Sequence, residues 1–264
     1  MTTVDDRCIN CDRAVAGGDQ KYCPGCGQPT PVHRIDWHYL GHELEHSVLH
    51  MDRGILYSLK QLMLRPGKLL RDYIEGRRGN QVKPLLLITI MSAVVVLLNR
   101  LVVGGGMVDV DAAMDPALVR DASAAVPAEV ARYMAASRVI AGWMNANFAA
   151  FTLMLLPIEA AVKWLVFRRY SRLNYPEWLV MTALLTVQVF VIWTLLILVH
   201  RWLPQTQLWA GVLSVIYGVF SLLQFFNGRP FWSTTWRALL GYAVFAVVSA
   251  ILVAVATFTL MAMR

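Results

Sequence analysis

Two CxxC pairs, Cys8-Ile-Asn-Cys11 and Cys23-Pro-Gly-Cys26, stand close together near the start of the chain. Two such knuckles can bring four thiolates to one tetrahedral ion, the donor set of a structural zinc ribbon. Pro24 stiffens the second turn, and Gly25 and Gly27 let backbone amides approach the sulfurs. The expectation is one structural zinc ion per chain on Cys8, Cys11, Cys23 and Cys26. Four thiolates close the coordination sphere and leave no position for a reacting water. All four cysteines of the chain are used in this way, so none remains for a disulfide and a reducing compartment is expected.

A second set of metal-ligating residue types follows. Five of the six histidines fall in residues 33 to 50, and His38, His42, His46 and His50 recur at every fourth position. On a helix each step of four drifts by about 40° and climbs about 6 Å, so His42 and His46 can share an ion whereas His38 and His50 cannot. His42, His46, His50 and Asp52 therefore form a candidate second metal or functional site, with Glu45 or a membrane-helix residue as the further ligand. The competing reading is an amphipathic interfacial helix, its apolar stripe running through Trp37, Leu44, Val48, Met51, Ile55 and Leu59, whose histidines bond lipid or protein or respond to pH. Asp52 also suits a helix cap before Gly54.

Glu159 and Lys163 are ionisable groups inside an apolar segment, four residues apart and just after Pro157. Such groups cost about 2.5 to 3.5 kcal/mol each at the bilayer centre on insertion scales, so they need partners. Glu before Lys at this spacing is the favourable helical order. The pair is read either as an internal lock between helices or as a polar functional site with Asn147, Gln188 and Gln224, and Lys163 could alternatively snorkel to the interface.

The elements that must position these groups are helical and mostly apolar. With 57% hydrophobic and 16% charged residues, gathered in blocks, the composition is that of a membrane protein. Five segments are long enough to cross a hydrocarbon core, near 85 to 103, 143 to 167, 178 to 199, 208 to 226 and 238 to 263. The expected fold is an all-α polytopic membrane protein with about five transmembrane helices, a small N-terminal four-cysteine zinc ribbon and an interfacial amphipathic helix. Its parts are the ribbon (1–30), the His-rich helix and basic collar (31–84), and the membrane domain (85–264) with an external loop at 104–142. Pro84 suits the first turn of the first span, and Asn174 with Glu177 suits the cap of the third.

Charge sets the expected orientation. Residues 1 to 84 carry twelve Lys and Arg, the 168 to 177 loop three, and the last connection two, against five in the opposite loops and tail. The positive-inside rule then places the N-terminus in the cytosol and the C-terminus outside. No apolar run precedes residue 85, so no signal peptide is expected. The net charge of +7 gathers next to the membrane, which favours anionic lipid over nucleic acid. Arg71, Arg77, Arg78 and Lys83 are the candidate headgroup contacts. Ala246, Ala250 and Ala254 line one face of the last span, for close packing within the chain or in a homo-oligomer.

Taken together, His42-Glu-Leu-Glu-His46-Ser-Val-Leu-His50-Met-Asp52-Arg-Gly54, Arg65-Pro66-Gly67, Tyr73-Ile-Glu-Gly76-Arg77-Arg78 and Lys83-Pro84, behind the CxxC and CxxCGQ head, resemble the bacterial membrane proteins grouped as domain of unknown function 3667. The resemblance covers residues 8 to 100. It implies a bacterial inner-membrane protein and brings no activity, substrate or catalytic residues with it.

The functional expectation is a non-enzymatic membrane protein whose ribbon recruits a cytosolic partner or anionic lipid. Two alternatives stand beside it: a membrane-embedded metal-dependent enzyme or metal transporter built on the histidine stripe, and a small-solute transporter built on Glu159. No phosphate-binding loop, nucleophile elbow or paired-carboxylate constellation is present in the sequence.

Overall fold

The computed structural model describes residues 7–15, 20–46, 54–108, 128–203 and 205–263, with the side chains of 42–46 excepted. Among these, the chain is all-helical behind a four-cysteine head. The helices are α1 (Trp37–His46), α2 (Ile55–Leu64), α3 (Pro66–Ile74), α4 (Pro84–Leu98), α5 (Ala128–Ala146), α6 (Phe148–Phe167), α7 (Tyr175–Leu198), α8 (Thr206–Phe225) and α9 (Phe231–Ala262).

Five of them are long and apolar enough to cross a membrane: α4 with its extension to Val103, α6, α7, α8 and α9. They overlap the five segments expected from hydropathy, the second beginning at Phe148 rather than near 143 and the fifth at Phe231 rather than near 238. α7 is the central helix, with 61% of its apolar window enclosed, whereas α9 is the outward one at 11%. A helix that is apolar all round and exposes most of its surface needs lipid, not water, around it.

Local chemistry sets the boundaries. Pro84 occupies the first turn of α4, where its missing N–H costs nothing. α4 ends in a wider π-turn over Asn99–Val103, closed where Asn99 Nδ2 donates to Gly105 O at 2.9 Å. Asn174 and Glu177 form a complete capping box at the start of α7, with Glu177 N donating to Asn174 Oδ1 at 2.8 Å and Asn174 N donating to Glu177 Oε2 at 2.7 Å. Asp36 opens α1, its Oδ1 accepting from Tyr39 N at 2.8 Å.

Two elements differ from the sequence expectation. Residues 128 to 142, expected in a loop, are helical: α5 packs along the far end of α9, with the Tyr133 and Phe258 rings 5.5 Å apart. The collar region 54–76 is a helical hairpin, α2 and α3, packed against α7 and α8. Gly67 allows that packing, because a Cβ there would lie 2.3 Å from Gln224 Cβ and 2.4 Å from the Gln224 carbonyl carbon.

At the end of the bundle nearest the head, the buried Phe167 and Trp178 and the half-buried Phe226 form an aromatic knot, the Phe167 and Phe226 rings stacked at 5.3 Å. Tyr170 joins it, hydrogen-bonded to Thr234 Oγ1 at 2.7 Å and faced by the guanidinium groups of Arg229 and Arg237 at 5.3 and 4.5 Å. The short connections carrying Arg168, Arg169, Arg172 and Arg229 leave the bundle here.

Candidate metal centre

Each knuckle of the head is a tight turn closed by its own backbone. Asp12 N donates to Cys8 O, and Cys8 N to Arg13 O, both at 2.8 Å. Gly27 N donates to Cys23 O at 2.9 Å, and Cys23 N to Gln28 O at 2.8 Å. The repeat extends to the residue after each second cysteine, which is left-handed in both cases: Gly27 at φ 71° and Asp12 at φ 59°. Aspartate is among the few side-chain-bearing residues that tolerate this region, and Arg7 Nη1 holds its carboxylate at 3.2 Å.

The two turns bring all four sulfurs together, every Sγ within 4.8 Å of the others. Cys8 and Cys26 lie 3.6 Å apart and Cys11 and Cys23 3.5 Å apart. A disulfide needs about 2.05 Å. A tetrahedron with metal–sulfur bonds of about 2.3 Å has edges of about 3.8 Å, close to both separations. The donor set and its geometry thus fit one metal ion.

Electrostatics single out the first thiolate. Cys23 is lowered to about 6, chiefly by the Gly25 amide, which donates to its sulfur at 3.4 Å, with the Cys26 amide and neighbouring thiols adding to it. Burial pushes the Cys8 thiol up. One sulfur is therefore charged at neutral pH and able to capture a cation, after which the remaining thiols can lose their protons to the metal.

The head is fastened to the membrane domain. Gln28 is buried, and its Oε1 accepts from Arg78 N at 3.1 Å, while Gly79 sits so close to Asn10 and Gln28 that a Cβ would lie 2.8 Å from Asn10 Nδ2. Farther along, Arg34 grips Glu177, Asn174 Nδ2 donates to Ile35 O at 2.9 Å, and the Ile35 side chain is fully enclosed in the main core.

The candidate headgroup arginines are engaged inside the protein. Arg71 Nη1 donates to the carbonyls of Gln224 and Phe225 at the end of α8, the latter at 3.1 Å, the favourable place for a cation on a helix dipole. Arg77 bonds Asp72 Oδ1 at 2.9 Å and also pairs with Glu75, and these carboxylates hold its guanidinium above its ordinary range against the opposing effect of burial. Arg78 Nε donates to Tyr73 O at 2.8 Å, and its guanidinium lies between the Tyr39 and Tyr73 rings, 4.5 and 5.4 Å from their centroids. Lys83 immediately precedes α4 and has a partner of its own.

Most of the histidine stripe lies outside the described residues: His50 and the side chains of His42 and His46, together with Asp52. His200 is at the opposite end of the bundle, its Nδ1 2.8 Å from Thr206 Oγ1.

Glu159 and Lys163 are paired on α6, and Lys163 is only 1% exposed. Its ammonium lies 4.7 Å from the centre of the Tyr242 ring on α9. Lys163 therefore does not snorkel; the carboxylate and the ring face hold it inside the bundle. Asn147, Gln188 and Gln224 do not gather around the pair. Asn147 Nδ2 donates to Trp143 O at 3.1 Å, Gln188 Nε2 to Leu62 O at 3.0 Å, and Gln224 Oε1 accepts from Gly67 N at 3.2 Å. The last two contacts were not foreseen from the sequence, although the Pro66-Gly67 pair after a ten-residue apolar helix is a visible trace of the turn they serve.

These features define a multi-pass membrane protein with a candidate four-cysteine metal centre seated beside the first helices. Residues 52–96, which contain α2, α3 and most of α4, match the family described as Protein of unknown function (DUF3667). No curated protein and no solved structure matches the chain.

Proposed function

We propose that the chain is a non-enzymatic membrane platform: its head binds one structural zinc ion on the cytosolic face of a bacterial inner membrane and recruits a cytosolic protein. The observation that carries this reading is the seating of the head. Gln28 and the Arg34–Glu177 pair fasten one side of it to the membrane domain, which gives the rest a fixed orientation toward solution. Ile9 and Tyr22 are exposed next to the cysteines, an apolar and an aromatic contact on a rigid knuckle. Four thiolates serve folding rather than turnover. Anionic lipid is the weaker candidate for the collar arginines, since Arg71, Arg77 and Arg78 already serve internal contacts.

The test is site-specific photo-crosslinking in intact membranes, with a benzophenone residue at Ile9 or Tyr22 of the full chain. A discrete protein adduct that disappears in a Cys23→Ser, Cys26→Ser variant, while that variant still inserts, supports the platform. Absence of any protein adduct at both positions, or an adduct indifferent to the cysteines, refutes it.

A further inference from the structure

We propose that residues 54–76 form a re-entrant hairpin that dips into the head-side leaflet, with lipid acyl chains covering the outward face of α2. α2 is ten residues long, far short of a span, and its outer row is Leu56, Lys60 and Leu64, with Leu56 81% and Leu64 65% exposed.

The end of α2 identifies its surroundings. A helix leaves its last carbonyls without internal partners. In water the solvent satisfies them; here the bundle does. Leu62 O accepts from Gln188 Nε2 at 3.0 Å, and Met63 O accepts from the Tyr217 hydroxyl. Gln188 is itself buried and oriented by Ser221 Oγ, which donates to its Oε1 at 3.1 Å. Side-chain donors from two membrane helices, aimed at a third helix's terminal carbonyls, meet the requirement of a helix that stops within hydrocarbon.

Depth follows from helix rise. Gln188 lies ten residues into α7 from Trp178, and Tyr217 nine residues before Phe226 at the end of α8. At 1.5 Å per residue these backbone positions are about 15 and about 13 Å inward from the aromatic knot and its arginine-bearing connections. Their long side chains reach back to the α2 carbonyls, which the rise of about 6 Å from Ser58 to Leu62 keeps within the head-side leaflet of a core of about 30 Å. The two helices place their donors at the same level independently.

Entry and exit are both on the head side. Ser58 Oγ accepts from Val82 N at 3.0 Å, just before α4 begins, so the start of α2 is level with the start of a span. On the return, Gly67 lies against Gln224, and Arg71 donates to the end of α8. Lys60, Arg65 and Lys68 are exposed around the tip and sides, with stems long enough to carry their charges toward the phosphates.

The experiment uses the full chain in vesicles of phosphatidylethanolamine and phosphatidylglycerol, with a benzophenone residue at Leu64 or, as a control in the head, at Lys21. Tandem mass spectrometry should locate an adduct from position 64 on a lipid acyl chain, at least tenfold more abundant than any from position 21. Adducts confined to lipid headgroups or to protein, or none at position 64, would overturn the hairpin. Because position 64 is an outward surface site, the substitution leaves the fold intact. The result does not depend on whether the head recruits a partner.

Discussion

Both oxygens of Glu177 are held by the guanidinium of Arg34, Nε to Oε1 at 2.6 Å and Nη2 to Oε2 at 2.9 Å, across 143 residues of sequence. The same carboxylate closes the capping box of α7, and Arg34 also donates to Arg172 O at 3.0 Å. One buried carboxylate therefore starts the central helix and anchors the segment that leads out of the head.

Arg34→Ala should loosen residues 31–36 without unfolding the bundle. The arginine is 62% exposed, so the loss should be about 1 kcal/mol. Hydrogen exchange of that segment should speed up several-fold, and Arg34→Lys should recover only part because it cannot make the bidentate contact. Glu177 raises the Arg34 pKa, so the arginine's contribution is fully present below its ordinary value and is lost only as pH rises through the higher folded one. The tether should therefore show no arginine titration near neutrality. Unchanged exchange in Arg34→Ala would remove the tether from the account.

Elemental mass spectrometry of purified protein should give one zinc per chain. Cys23→Ser, Cys26→Ser should abolish it, and His42→Ala, His46→Ala should leave it in place. A second metal lost with the histidines would instead point to a metal-dependent enzyme or transporter.

After brief chelation, Cys23 should be the first thiol alkylated at pH 7. Its folded value of about 6 is below the ordinary thiol range, so the reactive thiolate is present above that pH and is lost as pH falls through it. Peptide mapping of a limited iodoacetamide reaction gives the order; equal labelling of all four cysteines would contradict the role assigned to the Gly25 amide.

Glu159→Gln should be markedly destabilising, because Lys163 would be left charged and enclosed against Tyr242. Breaking a buried pair from one side costs about 3–5 kcal/mol, whereas a Glu159→Leu, Lys163→Met double variant should be close to wild type. Thermal unfolding in detergent separates the two. If Glu159→Gln melts like the wild type, the pair is not a lock.

Gly67→Ala should displace α3 from α8, since the obstructing atoms include the backbone of Gln224. Protease should cut residues 65–76 faster in this variant, whereas Lys68→Ala, beside it and exposed, should behave as wild type.

What the sequence reveals depends on the range of the interaction. Pro84 and the Asn174–Glu177 cap are set within one helical turn, and both appear as expected. Apolar length alone marks the five spans. The cysteine cluster follows from two local turns. The hairpin is less visible: a ten-residue helix with Lys60 on its surface looks like a collar until Gln188 and Tyr217, more than 120 residues away, are seen to cap it. Lys163 is legible only in part for the same reason: the spacing from Glu159 shows the pair, but a position near the end of α6 also suits snorkelling, and Tyr242, far along the chain, completes the enclosure. For the arginines, sequence conveys charge but not occupancy, and Asp72, Glu75 and the end of α8 use them first.

Gln28 stands with its carbonyl in the second knuckle, accepting from Cys23 N, and its side chain on the turn that follows α3, accepting from Arg78 N. A residue shared in this way makes two equilibria one. Whatever free energy metal binding lends to the order of the turn, order in the turn returns to the metal, because thermodynamic coupling runs equally in both directions. The membrane is then a silent co-ligand: a head severed from its helices should hold its ion more weakly than the same head in the full chain, although every atom that touches the ion is unchanged.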